Sequence, residues 1–220
     1  MMRGFWVTGT DTGVGKTLVS CALMHALRRA GHAPVPMKPV ASGCTPTPQG
    51  LQNDDVTALL AATSHILSAD DIAPYRFEPP IAPHIAAAQA GVAIDIGQLL
   101  ARAAELARLG PLVVEGAGGF LVPLDDRFSL ADLAVALDLP VVLVVGLRLG
   151  CLNHALLTVE AIERRGLTLA GWVGNTIEPG FESASENLAT LRERIAAPCL
   201  ATIPWRQRSD PQAEIIAIPR

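Results

Sequence analysis

The chain has 220 residues, of which 50% are hydrophobic and 17% charged, with a formal net charge of −4. That supplies one large domain with a substantial core and little material for a second. The acidic balance, with basic clusters no longer than Arg28-Arg29 or Arg164-Arg165, excludes a nucleic-acid-binding face.

The predicted elements alternate from end to end. A strand over Gly4–Thr8 leads straight into a glycine loop, so no signal peptide is expected. The helix Lys16–Ala30 follows, with Val19, Leu23, Ala26, Leu27 and Ala30 at helical spacing and a stop at Gly31. Next comes the strand Pro34–Lys38, then an irregular stretch, Ala41–Asn53, with Gly43, Pro46, Pro48 and Gly50. Pro79-Pro80 and Pro83 follow later, and both stretches read as loops over a site. The remaining pattern gives helices over Ile94–Arg108, Ala155–Arg165 and Ser183–Ile195. It gives strands over Pro111–Glu115, Pro140–Val145, Leu169–Gly174 and Cys199–Ile203. Leu112-Val113-Val114 and Val141 to Val145 are apolar on both faces, as buried parallel strands must be. The expected fold is doubly wound α/β, a mostly parallel sheet with helices on both faces and right-handed crossovers. Such sheets bind ligands beyond the carboxyl ends of their strands.

The longest apolar run, Leu139–Leu147, is far short of the ~20 residues of a membrane helix, so no membrane partner is expected and the protein reads as cytoplasmic. The cysteines Cys21, Cys44, Cys151 and Cys199 form no CxxC pair and read as free thiols of a reducing compartment. Trp6 and Trp172 read as core, and His25 and His84 have no partner pattern.

After the first strand stands Gly9-Thr10-Asp11-Thr12-Gly13-Val14-Gly15-Lys16-Thr17. Small residues let backbone N–H groups turn inward around phosphates, and the following helix start adds positive potential, as in a P-loop NTPase fold. Gly13, Val14, Gly15 and Lys16 would cradle the phosphates of ATP, and the Thr17 hydroxyl would bind Mg²⁺. The first glycine of the strict pattern falls at Thr10, with Gly9 one place early. The metal also needs an acid at the end of an apolar strand, and Glu115 stands there, followed by Gly116, Ala117, Gly118 and Gly119.

Seven segments resemble the dethiobiotin synthetase family in order along nearly the whole chain. They are Val7 to Thr12, Met37-Lys38-Pro39-Val40-Ala41-Ser42-Gly43, Asn53-Asp54-Asp55, Glu115 to Gly119, Leu149-Gly150-Cys151-Leu152-Asn153-His154-Ala155, Gly171 to Asn175, and Ile203-Pro204-Trp205. The resemblance implies a homodimer that turns 7,8-diaminononanoate, CO₂ and ATP into dethiobiotin, ADP and phosphate through a carbamate and a carbamic–phosphoric anhydride. It implies catalytic roles for Lys38, Lys16 and Thr12, with Thr12, Lys38 and Ser42 on the substrate and carbamate. Asp55 joins Thr17 and Glu115 as a metal ligand, although Asp54 could substitute. Gly116, Ala117 and Gly118 line the nucleotide. Asn175 resembles the adenine-reading residue, since an amide offers both donor and acceptor to the adenine edge. Thr176, Pro204, Trp205, Arg206 and, more weakly, Gln212 accompany it. Gly150, Cys151, Leu152 and Asn153 resemble the segment that crosses to the partner subunit and receives the substrate tail, with Asn153 suited to cap its helix.

Two other classes share the P-loop. A switch or scaffold ATPase of the cell-division or partition type carries a signature lysine early in the loop, where this chain has Asp11. The synthetase subunit of an ATP-dependent amidotransferase would need a separate glutaminase.

Overall fold

The computed structural model describes residues 2–207 and 210–219. In chain order the elements are β1 (Gly4–Gly9), α1 (Lys16–Arg29), β2 (Val35–Met37), β3 (Val40–Ser42), β4 (Thr45–Thr47), β5 (Gly50–Gln52), α2 (Asp54–Ala62), α3 (Ala69–Ile72), β6 (Tyr75–Phe77) and α4 (Pro83–Gln89). There follow α5 (Ile96–Leu106), β7 (Leu112–Gly119), α6 (Leu130–Leu137), β8 (Val141–Leu147), α7 (Cys151–Arg164), β9 (Leu169–Thr176), α8 (Ala184–Arg194) and β10 (Cys199–Ile203).

Six strands form one sheet in the order β10-β9-β8-β1-β7-β2, every neighbouring pair parallel. The order reverses around β1, which puts the loop after it at the switch point of a doubly wound sheet. Alternation along each strand feeds two layers. Trp6, Leu112, Val114 and Val141 pack toward α5 and α6, while Val7, Val113, Val142 and Val144 pack toward α1 and α2. Leu143, Val145 and Trp172 join α7 and α8 in a third cluster. Trp6 and Trp172 are fully buried, as core residues.

The predicted strands and helices all form, with bounds shifted by a few residues. Two expectations need correction. The stretch 41–53 is more ordered than a loop: β3 pairs with β6, and β4 with β5 makes a hairpin. Asn153 is not a cap, because α7 begins two residues earlier at Cys151 and is capped by Gly150 in the left-handed region, φ 92°. Cys21, Cys44 and Cys151 are buried free thiols, and Cys199 is half-buried.

Candidate active site

The phosphate loop spans β1 and α1. Gly13 and Gly15 have φ of 73° and 92°, which side chains resist. A Cβ on Gly15 would also fall 2.3 Å from Asn175 Nδ2. That nitrogen donates to the Val14 carbonyl at 2.9 Å, so buried Asn175 braces the loop from β9. Its second N–H and its carbonyl oxygen remain for a ligand.

Lys16 and Thr17 open α1 beneath the loop. Lys16 is buried and its Nζ donates to the Asp11 carbonyl at 2.9 Å. Burial presses its pKa down to about 8, helped by the charge of Lys38 and opposed by Glu115, Asp55 and Asp11. Phosphates arriving here would meet a lysine with a short way to travel.

Above it lies a tight polar cluster. Thr17 Oγ1 is 2.7 Å from Asp55 Oδ1 and 2.9 Å from Glu115 Oε1. One hydroxyl hydrogen can serve only one of those acceptors at a time. Lys38 Nζ donates to Asp55 Oδ2 at 2.7 Å and to Glu115 Oε1 at 2.5 Å. Burial alone would depress the Lys38 pKa, but the two carboxylates outweigh it and hold the ammonium above its ordinary value. Asp55 shows the converse: burial would raise its pKa, yet the Lys38 charge and the hydrogen bonds from Lys38 and Thr17 hold it below the usual range. Behind the cluster, burial followed by the charges of Glu115 and Asp55 pushes the Cys21 thiol to about 12, which leaves it inert.

Each member is placed by its element. Lys38 follows β2, whose neighbour β7 delivers Glu115 beside Val7. The register of β1 on β7 then slips across Gly116–Gly118, so β7 turns its glycines toward the phosphate loop. Gly118, at φ 63°, lies close enough that a Cβ there would meet Thr12 Oγ1 at 3.4 Å. Asn53 caps α2 by accepting from Val56 N, and its amide donates to the Ser42 carbonyl at 3.3 Å. It thereby ties β3 to the helix start that aims Asp55, rather than exposed Asp54, at Thr17. A hydroxyl and two carboxylates are a hard oxygen set of the kind Mg²⁺ takes. Glu115 Oε2 is buried without a hydrogen-bond partner among the described residues, which leaves ligand capacity unspent.

These groups open on a cleft of about 630 Å³ that also reaches Thr12, Gly13, Ser42, Ala117 and Gly118. Its lining includes Pro80, Ile81, Ala82 and Pro83, from the proline stretch expected as a loop over the site, and Val122, which carried no signal. The proline pattern signalled a loop there but not its apolar contribution.

Other expected residues lie elsewhere. Ile203 pairs with Asn175 across β10 and β9, so Thr176 and Pro204 leave the sheet side by side. Trp205 is 43% exposed beyond them. Gln212 is exposed, and its N–H donates to Asp210 Oδ1 at 2.9 Å. The buried acid of that segment is Glu214, with Arg206 Nη1 at 3.3 Å. The segment Gly150 to Asn153 lies outside the cleft: Cys151 is buried with its Sγ 3.7 Å from Asn187 Oδ1, and Asn153 is exposed. A further pair, Arg148 with Asp11 at 2.5 Å, fastens the phosphate loop to the chain entering α7. Arg148 carried no motif, and only the fold brings it to Asp11.

Residues 3–213 match the family model described as an AAA domain. The ATP-dependent dethiobiotin synthetase BioD of Pseudomonas aeruginosa is 52% identical over 214 residues, 96% of this chain and 94% of that protein. The synthetase of the same name from Xanthomonas oryzae pv. oryzae is 49% identical over 219 residues, 98% of each. Among solved structures, the septum site-determining protein MinD of Pyrococcus horikoshii, complexed with Mg-ADP, is 16% identical with a TM-score of 0.56, over 93% of this chain and 82% of that one. A ParA family ATPase of Chlorobium tepidum is 13% identical with the same TM-score, over 94% and 86%. These two share the fold, while the relatives near half identity share the whole chain. With its phosphate loop, its Lys38 cluster and these relatives, the chain is an ATP-dependent ligase that belongs to the dethiobiotin synthetase family.

Proposed function

We propose that the chain makes dethiobiotin from 7,8-diaminononanoate, CO₂ and ATP, as a homodimer of single 220-residue domains in the cytoplasm. The observation that carries this reading is the meeting of Lys38, Thr17, Asp55 and Glu115 over the phosphate loop, in one cleft with Thr12, Lys16 and Ser42. Transfer of a phosphoryl group to a carbamate brings two anions together. It needs cations and positioning more than it needs an array of bases.

One substrate amine adds to CO₂ and releases a proton, leaving a carbamate. A carbamate oxygen attacks the γ-phosphorus, and the bond to ADP breaks. The second amine then attacks the carbonyl carbon of the mixed anhydride. The bond to phosphate breaks, a proton leaves, and the ureido ring closes. Lys16 follows the phosphates from its resting place on the Asp11 carbonyl. Lys38 neutralises the carbamate, and the hydroxyls of Thr12 and Ser42 orient it. Ser42 Oγ is buried without a protein partner, which suits that task. When bound, Mg²⁺ would neutralise charge on the β- and γ-phosphates, held by Thr17, Asp55 and Glu115. Gly116 to Gly118 give close backbone approach, and Asn175, Thr176, Pro204, Trp205, Arg206 and Gln212 flank the adenine.

Detection of dethiobiotin by mass after mixing enzyme with ATP, Mg²⁺, bicarbonate and diamine tests the reading; ammonia-dependent turnover, or ATPase activity that needs no diamine, would overturn it. Glu115→Gln keeps the shape but removes one ligand charge. The Mg²⁺ titration of activity should shift to higher concentration, and the metal-free melting temperature should fall too, because buried Lys38 loses one of its two carboxylate partners. An unchanged titration would take Glu115 out of the metal shell.

We assign Gly150 to Asn153 to the partner's site. Cys151 is buried and its N–H donates to the Arg148 carbonyl, so at the start of α7 the N–H groups of Leu152 and exposed Asn153, with the positive helix end, are left for a carboxylate, and the diamine carries one at the end of its apolar chain. That this turn lies off its own chain's cleft supports the exchange. Asn153→Ala should raise the KM for diamine with little change in the KM for ATP. Mixing inactive Lys16→Ala with a variant blocked at 150–154 should restore activity in the heterodimer, which holds one intact site. No recovery, given proven subunit exchange, would mean that each site comes from one chain.

A further inference from the structure

Resting on the reading above, we propose that Lys38 is the resident cation of the metal site: it holds the two metal carboxylates in the empty enzyme and is released to the carbamate when Mg²⁺·ATP loads. Lys38 bridges the same pair of acids that Thr17 bridges, at 2.7 Å from Asp55 Oδ2 and 2.5 Å from Glu115 Oε1. The ammonium and the Thr17 hydroxyl share that one Glu115 oxygen. Lys38 is 3% exposed and Glu115 is 0% exposed, so water screens the Lys38–Glu115 contact little, while Asp55 is half-exposed. Buried Glu115 and half-buried Asp55 would repel each other without a cation, and the lysine meets that need in the metal-free protein.

A divalent cation on these acids would lie beside a buried ammonium, where like charges repel strongly. The lysine must then give way. A buried ammonium cannot leave its partners without replacements. The cleft that Lys38 lines also holds Lys16, Thr12 and Ser42, where the γ-phosphate and carbamate would sit. The nucleotide brings metal and anions together, so Lys38 exchanges two carboxylates for the incoming anions in one step. Free metal lacks the anions and displaces Lys38 poorly.

The direct test is a lysine-Nζ NMR spectrum of the ¹⁵N-lysine-labelled protein. The buried Lys38 ammonium should give a slowly exchanging signal, assigned by its loss in Lys38→Arg. Saturating Mg²⁺·ADP with inorganic phosphate should shift or broaden it, and Mg²⁺ alone should leave it in place. In parallel, Mn²⁺ binding without nucleotide is measured by electron paramagnetic resonance. If Lys38 occupies the site at least nine-tenths of the time, Lys38→Met should bind Mn²⁺ about tenfold more tightly than wild type or better. Lys38→Arg should stay near wild type. An unmoved Lys38 signal beside calorimetrically proven Mg²⁺·ADP binding would overturn the exchange alone. Equal Mn²⁺ affinity in wild type and Lys38→Met would do the same. No Mg²⁺·ADP binding to the wild-type protein at all would instead bring down the nucleotide reading beneath it.

Discussion

Lys16→Ala is expected to abolish dethiobiotin formation, with a loss of about 10²–10³ in rate or more from removing one preorganised cation. The expectation rests on position. Lys16 is buried at the start of α1 and lines the cleft, and among the described residues its one hydrogen-bond anchor is the Asp11 carbonyl, which it can exchange for phosphate oxygens. A pH signature accompanies it. Burial, reinforced by the Lys38 charge, brings the Lys16 pKa to about 8 in the empty protein. Phosphates attract only the charged form, so ATP affinity should fall as pH rises through that value, and binding near it should take up protons. Calorimetry in two buffers of different ionisation enthalpy measures the uptake. Lys16→Ala should lose it, and retention of a large part of wild-type turnover would remove Lys16 from the phosphate site.

How far the sequence carried depends on how chemistry maps onto chain neighbours. The phosphate loop is legible because strand, glycines, lysine and helix are contiguous, and so is the strand that ends on Glu115. The buried strands announced themselves because parallel strands covered on both faces are apolar throughout. Helix α6 did not: LADLAVAL buries Leu130, Ala131, Leu133, Ala134 and Leu137, which leaves no polar face to give a period. Strands β3, β4 and β5 have three residues each, too short for alternation to register. Within the site, Asp54 and Asp55 cannot be separated along the chain. The Asn53 cap fixes the helix phase that turns Asp55 inward. The same limit hid the Arg148–Asp11 pair and Glu214, both products of long-range packing. Asn153 was misplaced because a side-chain cap and a glycine in the left-handed region compete at the same helix start, and Gly150 took the position.

Lys38→Ala should separate chemistry from nucleotide binding. Lys38 lies off the phosphate loop and spends its charge on Asp55 and Glu115 rather than on the region beneath α1. Removing it takes away the cation proposed for the carbamate, so product formation should fall by about 10²–10³ as for other preorganised charges. Nucleotide affinity by calorimetry should hold or tighten, because the two acids then have no internal competitor for the metal. Lys38→Arg should not restore turnover, since a planar fork that still covers the two acids cannot turn from them to a carbamate as a compact ammonium does. Stability gives a control. The alanine variant leaves buried Glu115 uncompensated and facing half-buried Asp55, so its melting temperature should drop without metal and recover with Mg²⁺ more than that of wild type. A large loss of ATP affinity with normal turnover at saturation would reverse the assignment, making Lys38 a nucleotide anchor with no part in the transfer step.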